Sequence, residues 1–215
     1  MHGIIFDCDG VLVDSEKWSC SAWLPVLQQR GIQAELADIQ AFIGQSDQAV
    51  LDHFRHHTGV DLPAEIIAER EQAYFELARG RLETFPGLEA VLEKLKQRRV
   101  LLAVASSGRL DKIRFSLDQV GLAAFFEIVC SATQVECGKP APDLFLHTAA
   151  RMGLEPCTCA VVEDSVPGVR AALRAQMHLL GFTSSHPAST LHQAGASHTF
   201  ATYGELLPLI DALPW

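Results

Sequence analysis

The chain has 215 residues, 48% of them hydrophobic, enough to bury one substantial core and to carry a second small module. Its 26 acidic side chains outnumber 17 Lys and Arg, and the formal net charge of -9 argues against a nucleic-acid or anionic-membrane partner. No apolar run approaches the ~18 residues of a membrane span. An apolar strand that begins at Gly3 leaves no room for a signal peptide, so a cytoplasmic protein is expected.

Gly3 to Phe6 reads as a buried strand that stops abruptly at Asp7-Cys8-Asp9-Gly10, where the glycine lets the backbone turn away tightly. Two carboxylates one residue apart at a strand end can converge on one point, and they repel each other unless a cation or a shared proton lies there. Asp14 or Ser15 is placed to cap a helix to about Arg30, kinked at Pro25 and stopped by Gly31. A short helical piece near 35–43 follows, then a helix capped by Ser46 that ends at Gly59. Pro63 suits the first turn of another helix reaching about Arg79. No strand pattern interrupts 15–82, so this segment is expected to be an all-helical insert between 1–14 and 83–215.

Beyond Pro86-Gly87 apolar strands alternate with helices. Strands are expected over 100–105, 127–130, 160–163 and 178–182, and helices over 88–98, 110–120, 143–152, 166–174 and 203–213. The stretch 183–197 is polar and loop-like, with a short helix around 189–194. Continuous apolar strands alternating with helices imply an α/β fold, a parallel sheet covered on both faces. The six cysteines show no CxxC or zinc spacing and are expected to be buried, reduced thiols.

In an open parallel sheet, ligands bind beyond the carboxyl ends of the strands. The residues after the expected strands are Asp7 and Asp9, then Ser106-Ser107-Gly108, then Gly138-Lys139-Pro140 and finally Glu163-Asp164-Ser165. Each alone is a common turn, surface lysine or helix start. Their convergence on one sheet edge points to phosphoryl transfer. Asp7 is placed to attack phosphorus, and Asp9 to protonate the leaving oxygen and then deprotonate water. Oxygen ligands from Asp7, Asp164 and Glu163 suit Mg²⁺. The Ser106 hydroxyl with the N–H groups of Ser107 and Gly108 can bond phosphoryl oxygens, and Lys139 supplies a point charge.

Asp-Cys-Asp-Gly-Val-Leu-Val-Asp-Ser-Glu, Val-Ala-Ser-Ser-Gly, Gly-Lys-Pro-Ala-Pro-Asp and Val-Glu-Asp-Ser-Val-Pro-Gly occur in this order. In these motifs the chain resembles the haloacid dehalogenase superfamily, in its beta-phosphoglucomutase-like branch of sugar-phosphate phosphatases with a small helical cap. The resemblance implies a doubly wound, Rossmann-like core, a nucleophilic Asp7, and a Mg²⁺ site made by Asp7, Asp164 and the Asp9 carbonyl. It also implies a cap loop at Gly44 that contributes to phosphate binding. The implied partner is a small phosphorylated sugar, sugar acid or polyol, with the chain acting as a monomer or weak homo-oligomer.

Three positions depart from the mutases of that branch. Asp47 stands where they carry a cap arginine, Ser19 where they carry a hinge histidine, and Glu71 near a cap lysine. Water is therefore the expected acceptor, with a sugar phosphomutase as the alternative. A fourth departure, Gln176 in place of a helix-ending glycine, concerns stability alone.

Overall fold

The computed structural model describes residues 2–43 and 47–215. They form two compact units, one made of the chain up to Asp14 together with Glu83–Trp215, the other of Ser15–Leu82. The chain leaves and re-enters the larger unit side by side: after strand β1 (Gly3–Phe6), the Asp14 N–H donates to the Glu83 carbonyl (2.9 Å).

The smaller unit consists of α1 (Glu16–Ser21), α2 (Trp23–Gln28), α3 (Leu36–Gln40), α4 (Asp47–Thr58) and α5 (Ile66–Ala78). The single kinked helix expected to Arg30 is two helices. Pro25 lacks an N–H and its ring opposes the carbonyl four residues back, at Ser21, so the break falls at Ala22, before the proline. Ser15 takes the N-cap position of α1, but its side chain makes no capping bond. α3 is closed instead by a reciprocal cap between Glu35 and Asp38. The cap expected at Ser46 lies outside the described residues. α5 begins after Pro63, because the first turn is closed by shorter bonds such as Ile66 N–H to the Pro63 carbonyl (3.2 Å). Trp23, Leu27, Leu51 and Ile66 centre this unit's own apolar core.

The larger unit continues through α6 (Leu88–Gln97), β2 (Leu101–Ser106), α7 (Leu110–Gln119), β3 (Ile128–Ser131), α8 (Asp143–Met152) and β4 (Cys159–Glu163). α9 (Val166–Arg174), β5 (His178–Phe182), α10 (Ala188–Ala194), β6 (His198–Phe200) and α11 (Leu206–Asp211) complete it. The strands lie in the order β3-β2-β1-β4-β5-β6, with every neighbouring pair parallel. Ile5, Ala103 and Val161 share a layer of the sheet, and Leu144, Phe145 and Val169 of α8 and α9 pack in the same cluster.

Strand β6 is not foreseen by the hydropathy pattern, since only Phe200 of its three residues is buried and there is no alternation to read. The expected last helix begins as a 3-10 turn over Tyr203–Glu205. Gln176 has φ 59, a left-handed residue ending α9 at a cost of about 1 kcal/mol, and Arg99 does the same after α6. All six cysteines are free thiols as expected, but Cys137 and Cys157 are exposed.

The turn after β1 is held from several sides. The Cys8 carbonyl accepts the Leu12 and Val13 N–H groups (both 3.0 Å), and Thr84 Oγ1 donates to the Leu12 carbonyl (2.9 Å). Tyr203, fully buried among Phe85, Phe182 and Phe200, donates its hydroxyl to the Val11 carbonyl (2.6 Å). Tyr203→Phe keeps the ring and leaves that carbonyl without its partner, so denaturant unfolding should show a loss of about 1–3 kcal/mol. An unchanged midpoint would mean that the tyrosine does not anchor the turn.

Candidate active site

Because all strands of the sheet are parallel, their carboxyl ends share one edge, and the side chains there come from five successive strand ends. Asp7 follows β1. Its N–H continues the ladder to the Val162 carbonyl (3.0 Å), which sets it beside the end of β4, where Glu163 and Asp164 lie. All three acids are buried.

Lys139 reaches them from the loop between β3 and α8. Its ammonium donates to Asp7 Oδ1 (2.5 Å), Glu163 Oε1 (2.7 Å) and the Ala105 carbonyl (3.1 Å), so its three protons are all used. Burial alone would pull the lysine down, but Asp7 and Glu163 overrule it and hold it above the usual lysine value. Glu163, expected among the metal ligands, has both of its oxygens engaged by neighbouring groups. Its second oxygen accepts from the Ser165 N–H (2.7 Å) and hydroxyl (2.9 Å), so both oxygens serve to hold Lys139 and the start of α9. Gly168 permits that approach, since a Cβ there would lie 1.8 Å from Glu163 Oε1.

Asp164 is fixed by residues that the sequence reading passed over. Its Oδ2 accepts from the hydroxyls of Ser184 (3.2 Å) and Ser185, which follow β5, and Ser184 also bonds the Gly10 carbonyl. Gly10 has φ +78, and a Cβ would fall 2.1 Å from Asp164 Oδ2, so both the turn and the close approach require glycine. The strand-end rule, applied to β5 as to the others, would have found these serines.

Asp9 projects from the turn and pairs with Lys112 (2.9 Å), also unforeseen. Lys112 shares the buried stripe of α7 with Ile113, Ser116 and Leu117, and a lysine in that stripe was the available signal. Ser106 ends β2 and is buried, its Oγ accepting the Gly108 N–H (3.2 Å), while the Gly108 carbonyl accepts from Ser131 (2.6 Å). Ser107 is exposed between them. Gly44 lies outside the described residues.

The donor set fits a divalent cation. Four carboxylates (Asp7, Asp9, Glu163, Asp164) meet two ammoniums (Lys112, Lys139), leaving two negative charges. Burial, partly opposed by Lys139 and reinforced by Glu163 and Asp9, pushes the Asp7 carboxyl up to about 7, and a bound cation would reverse that shift. Among the described residues no three His, Cys, Asp or Glu side chains form a metal cluster. A divalent cation held by one or two carboxylates would complete its shell with water and phosphate oxygens.

In the helical unit, Arg70 is buried. Its Nη2 donates to the Ser19 carbonyl (2.9 Å) and hydroxyl (2.6 Å), and its Nε lies 3.8 Å from Asp47 Oδ1. Arg55 is spent on the Leu62 carbonyl and on Asp52. His53 and His57 pack ring on ring at 4.0 Å, as an ordinary helix face.

Residues 4–182 match the family model described as haloacid dehalogenase-like hydrolase. The validoxylamine A 7'-phosphate phosphatase of Streptomyces hygroscopicus subsp. limoneus is 30% identical over 88% of this chain and 89% of its own. Hexitol phosphatase A of Escherichia coli (strain K12) is 33% identical over 87% and 85%. The crystal structure of a hydrolase from Pseudomonas syringae, 28% identical, superposes with a TM-score of 0.85 over 98% of each chain. An acid-lysine edge of this kind on a sheet of this order, matched in sequence over most of its length, makes the chain a member of the haloacid dehalogenase-like hydrolases.

Proposed function

We infer that the protein is a Mg²⁺-dependent phosphatase of a small phosphorylated sugar, sugar acid or polyol, working through an aspartyl-phosphate. The observation that carries this reading is the buried Asp7 carboxylate, held by Lys139 at a strand end with Asp9 one residue away. The phosphatase relatives support the substrate class.

In the first step an Asp7 oxygen forms a bond to phosphorus while the bond from phosphorus to the sugar oxygen breaks. Asp9 gives its proton to that departing oxygen. In the second step water attacks the same phosphorus, Asp9 takes its proton, and the Asp7–phosphorus bond breaks to release inorganic phosphate. The Ser106 hydroxyl and the Ser107 and Gly108 N–H groups bond the transferring oxygens, and Lys139 offers its charge to them while orienting Asp7. Asp7, Asp164 and the Asp9 carbonyl would hold the metal, which when bound offsets the charge between the carboxylate and the phosphoryl oxygens.

Water is the acceptor in this reading because Arg55 and Arg70 of the helical unit are already engaged. A mutase must hold a second phosphate while the sugar turns over, and that needs a free cationic grip. Asp47 is an acid, and Arg70 is engaged by both Ser19 and Asp47. A carboxylate about 4 Å from a phosphate charge costs about 4 kcal/mol per unit pair at an effective dielectric near 20.

Three measurements test the reading. EDTA should abolish hydrolysis of p-nitrophenyl phosphate, with Mg²⁺ restoring it and Ca²⁺ doing so poorly; full turnover without metal would contradict the site. Asp7→Asn should cost at least about 10³-fold in kcat and Asp9→Asn about 10²–10⁴-fold, and near-native turnover of the Asp7 variant would exclude covalent catalysis there. With beta-glucose 1-phosphate, Mg²⁺ and a trace of glucose 1,6-bisphosphate, inorganic phosphate should form and glucose 6-phosphate should not. Rapid glucose 6-phosphate without phosphate release would make the protein a mutase.

A further inference from the structure

Lys112 stands at the third position of α7, and little about that location favours a lysine for stability. It is 6% exposed, so its ammonium is stripped of most of its water. It also lies in the first helical turn, where the positive end of the helix dipole disfavours a cation. Its partner Asp9 is a fifth exposed. An exposed ion pair would contribute little, and a buried one is commonly replaceable by apolar side chains without loss. The chain instead aims a desolvated ammonium at the one carboxylate to which the proposed function gives both proton transfers.

The surroundings fix the aim. A methyl group on Gly108 would come within 3.5 Å of Lys112 Cδ, 3.6 Å of Ser106 Oγ and 3.8 Å of Asp9 Oδ2, so the lysine stem, the serine and the acid meet around one point. Gly108 is itself tied down by Ser106 and Ser131, which keeps that point rigid. Lys112 holds Asp9 by Oδ2 (2.9 Å). That charge-assisted bond restricts rotation of the carboxylate and fixes the direction in which it can move a proton.

We propose that Lys112 is a positioning residue for Asp9, holding the acid–base carboxylate in place for both proton transfers. The inference rests on the reading of Asp9 as acid and base. It concerns the rate of proton transfer and not the binding of phosphate, which falls to Ser106, the loop N–H groups and Lys139. Loss of Lys112 therefore acts on turnover and on poor leaving groups, and spares ground-state binding.

The test uses the full chain with p-nitrophenyl phosphate and phenyl phosphate. Lys112→Met should lower kcat on both by about 10- to 100-fold, the range expected of a misplaced catalytic group. For p-nitrophenyl phosphate, whose leaving group departs without a proton, kcat/KM should hold and a burst of nitrophenol should precede the slow steady state. For phenyl phosphate, kcat/KM should fall. Lys112→Arg, which keeps the charge, should recover most of the loss. In an Asp9→Asn background, Lys112→Met should add nothing, because its effect passes through Asp9. Native kcat in Lys112→Met, equal losses of kcat/KM on both esters, or additivity with Asp9→Asn would each overturn the proposal while leaving the phosphatase reading intact. Native turnover by Asp9→Asn alone would overturn both the proposal and the reading of Asp9 as acid and base.

Discussion

The ion pair that Lys139 makes with Asp7 and Glu163 organises the larger unit's chemistry. A lysine this buried is tolerable only because two carboxylates and a backbone carbonyl take all three of its protons. Removing one member of such a buried set typically costs about 3–5 kcal/mol, since the others are left desolvated and unpaired. The constraint runs outward from there. Glu163 must keep both oxygens occupied, which brings in Ser165. The carboxylate needs room, which makes position 168 a glycine and fixes how closely α9 can approach β4.

The same edge explains how so acidic a chain can handle a phosphate ester. With a net charge of -9 the protein as a whole repels an anionic substrate. Locally, the two lysines leave two carboxylate charges uncompensated, which is the charge of one divalent cation. Burial by itself drives Asp7 toward its neutral, unreactive form, so the cation that would balance the site also favours the ionised nucleophile. The serines behind Asp164 and the lysine behind Asp9 divide the labour, one fixing a candidate metal oxygen and the other a candidate acid–base carboxylate.

Most of the sheet was legible because each strand except β6 is an uninterrupted apolar run ending in small or charged residues. The positions of Asp7, Asp9 and Asp164 were legible because they follow such runs closely, and that of Lys139 because it lies in the loop after one. What escaped has physical reasons. Sequence gives proximity but not orientation, so the bonds of Glu163 to Lys139 and Ser165 could not be read from it. Lys112 was hidden within a helix whose period alone does not say that a cation sits in the buried stripe. Sequence does not say whether a cation such as Arg70 is free, and only its bonds to Ser19 and Asp47 show that its charge is already engaged. The break at Ala22 was displaced from Pro25 because a proline disrupts the turn before it.

The central claim is that Asp7 carries the phosphoryl group between the two steps. Rapid acid quench of a single turnover with p-nitrophenyl phosphate, followed by peptide mass spectrometry, tests it most directly. The account predicts one transient phosphoryl group on the peptide containing Asp7, labile to hydroxylamine, formed and lost at rates compatible with kcat. A turnover that releases nitrophenol and phosphate together, with no modified peptide at any quench time in either the wild type or Lys112→Met, would contradict it.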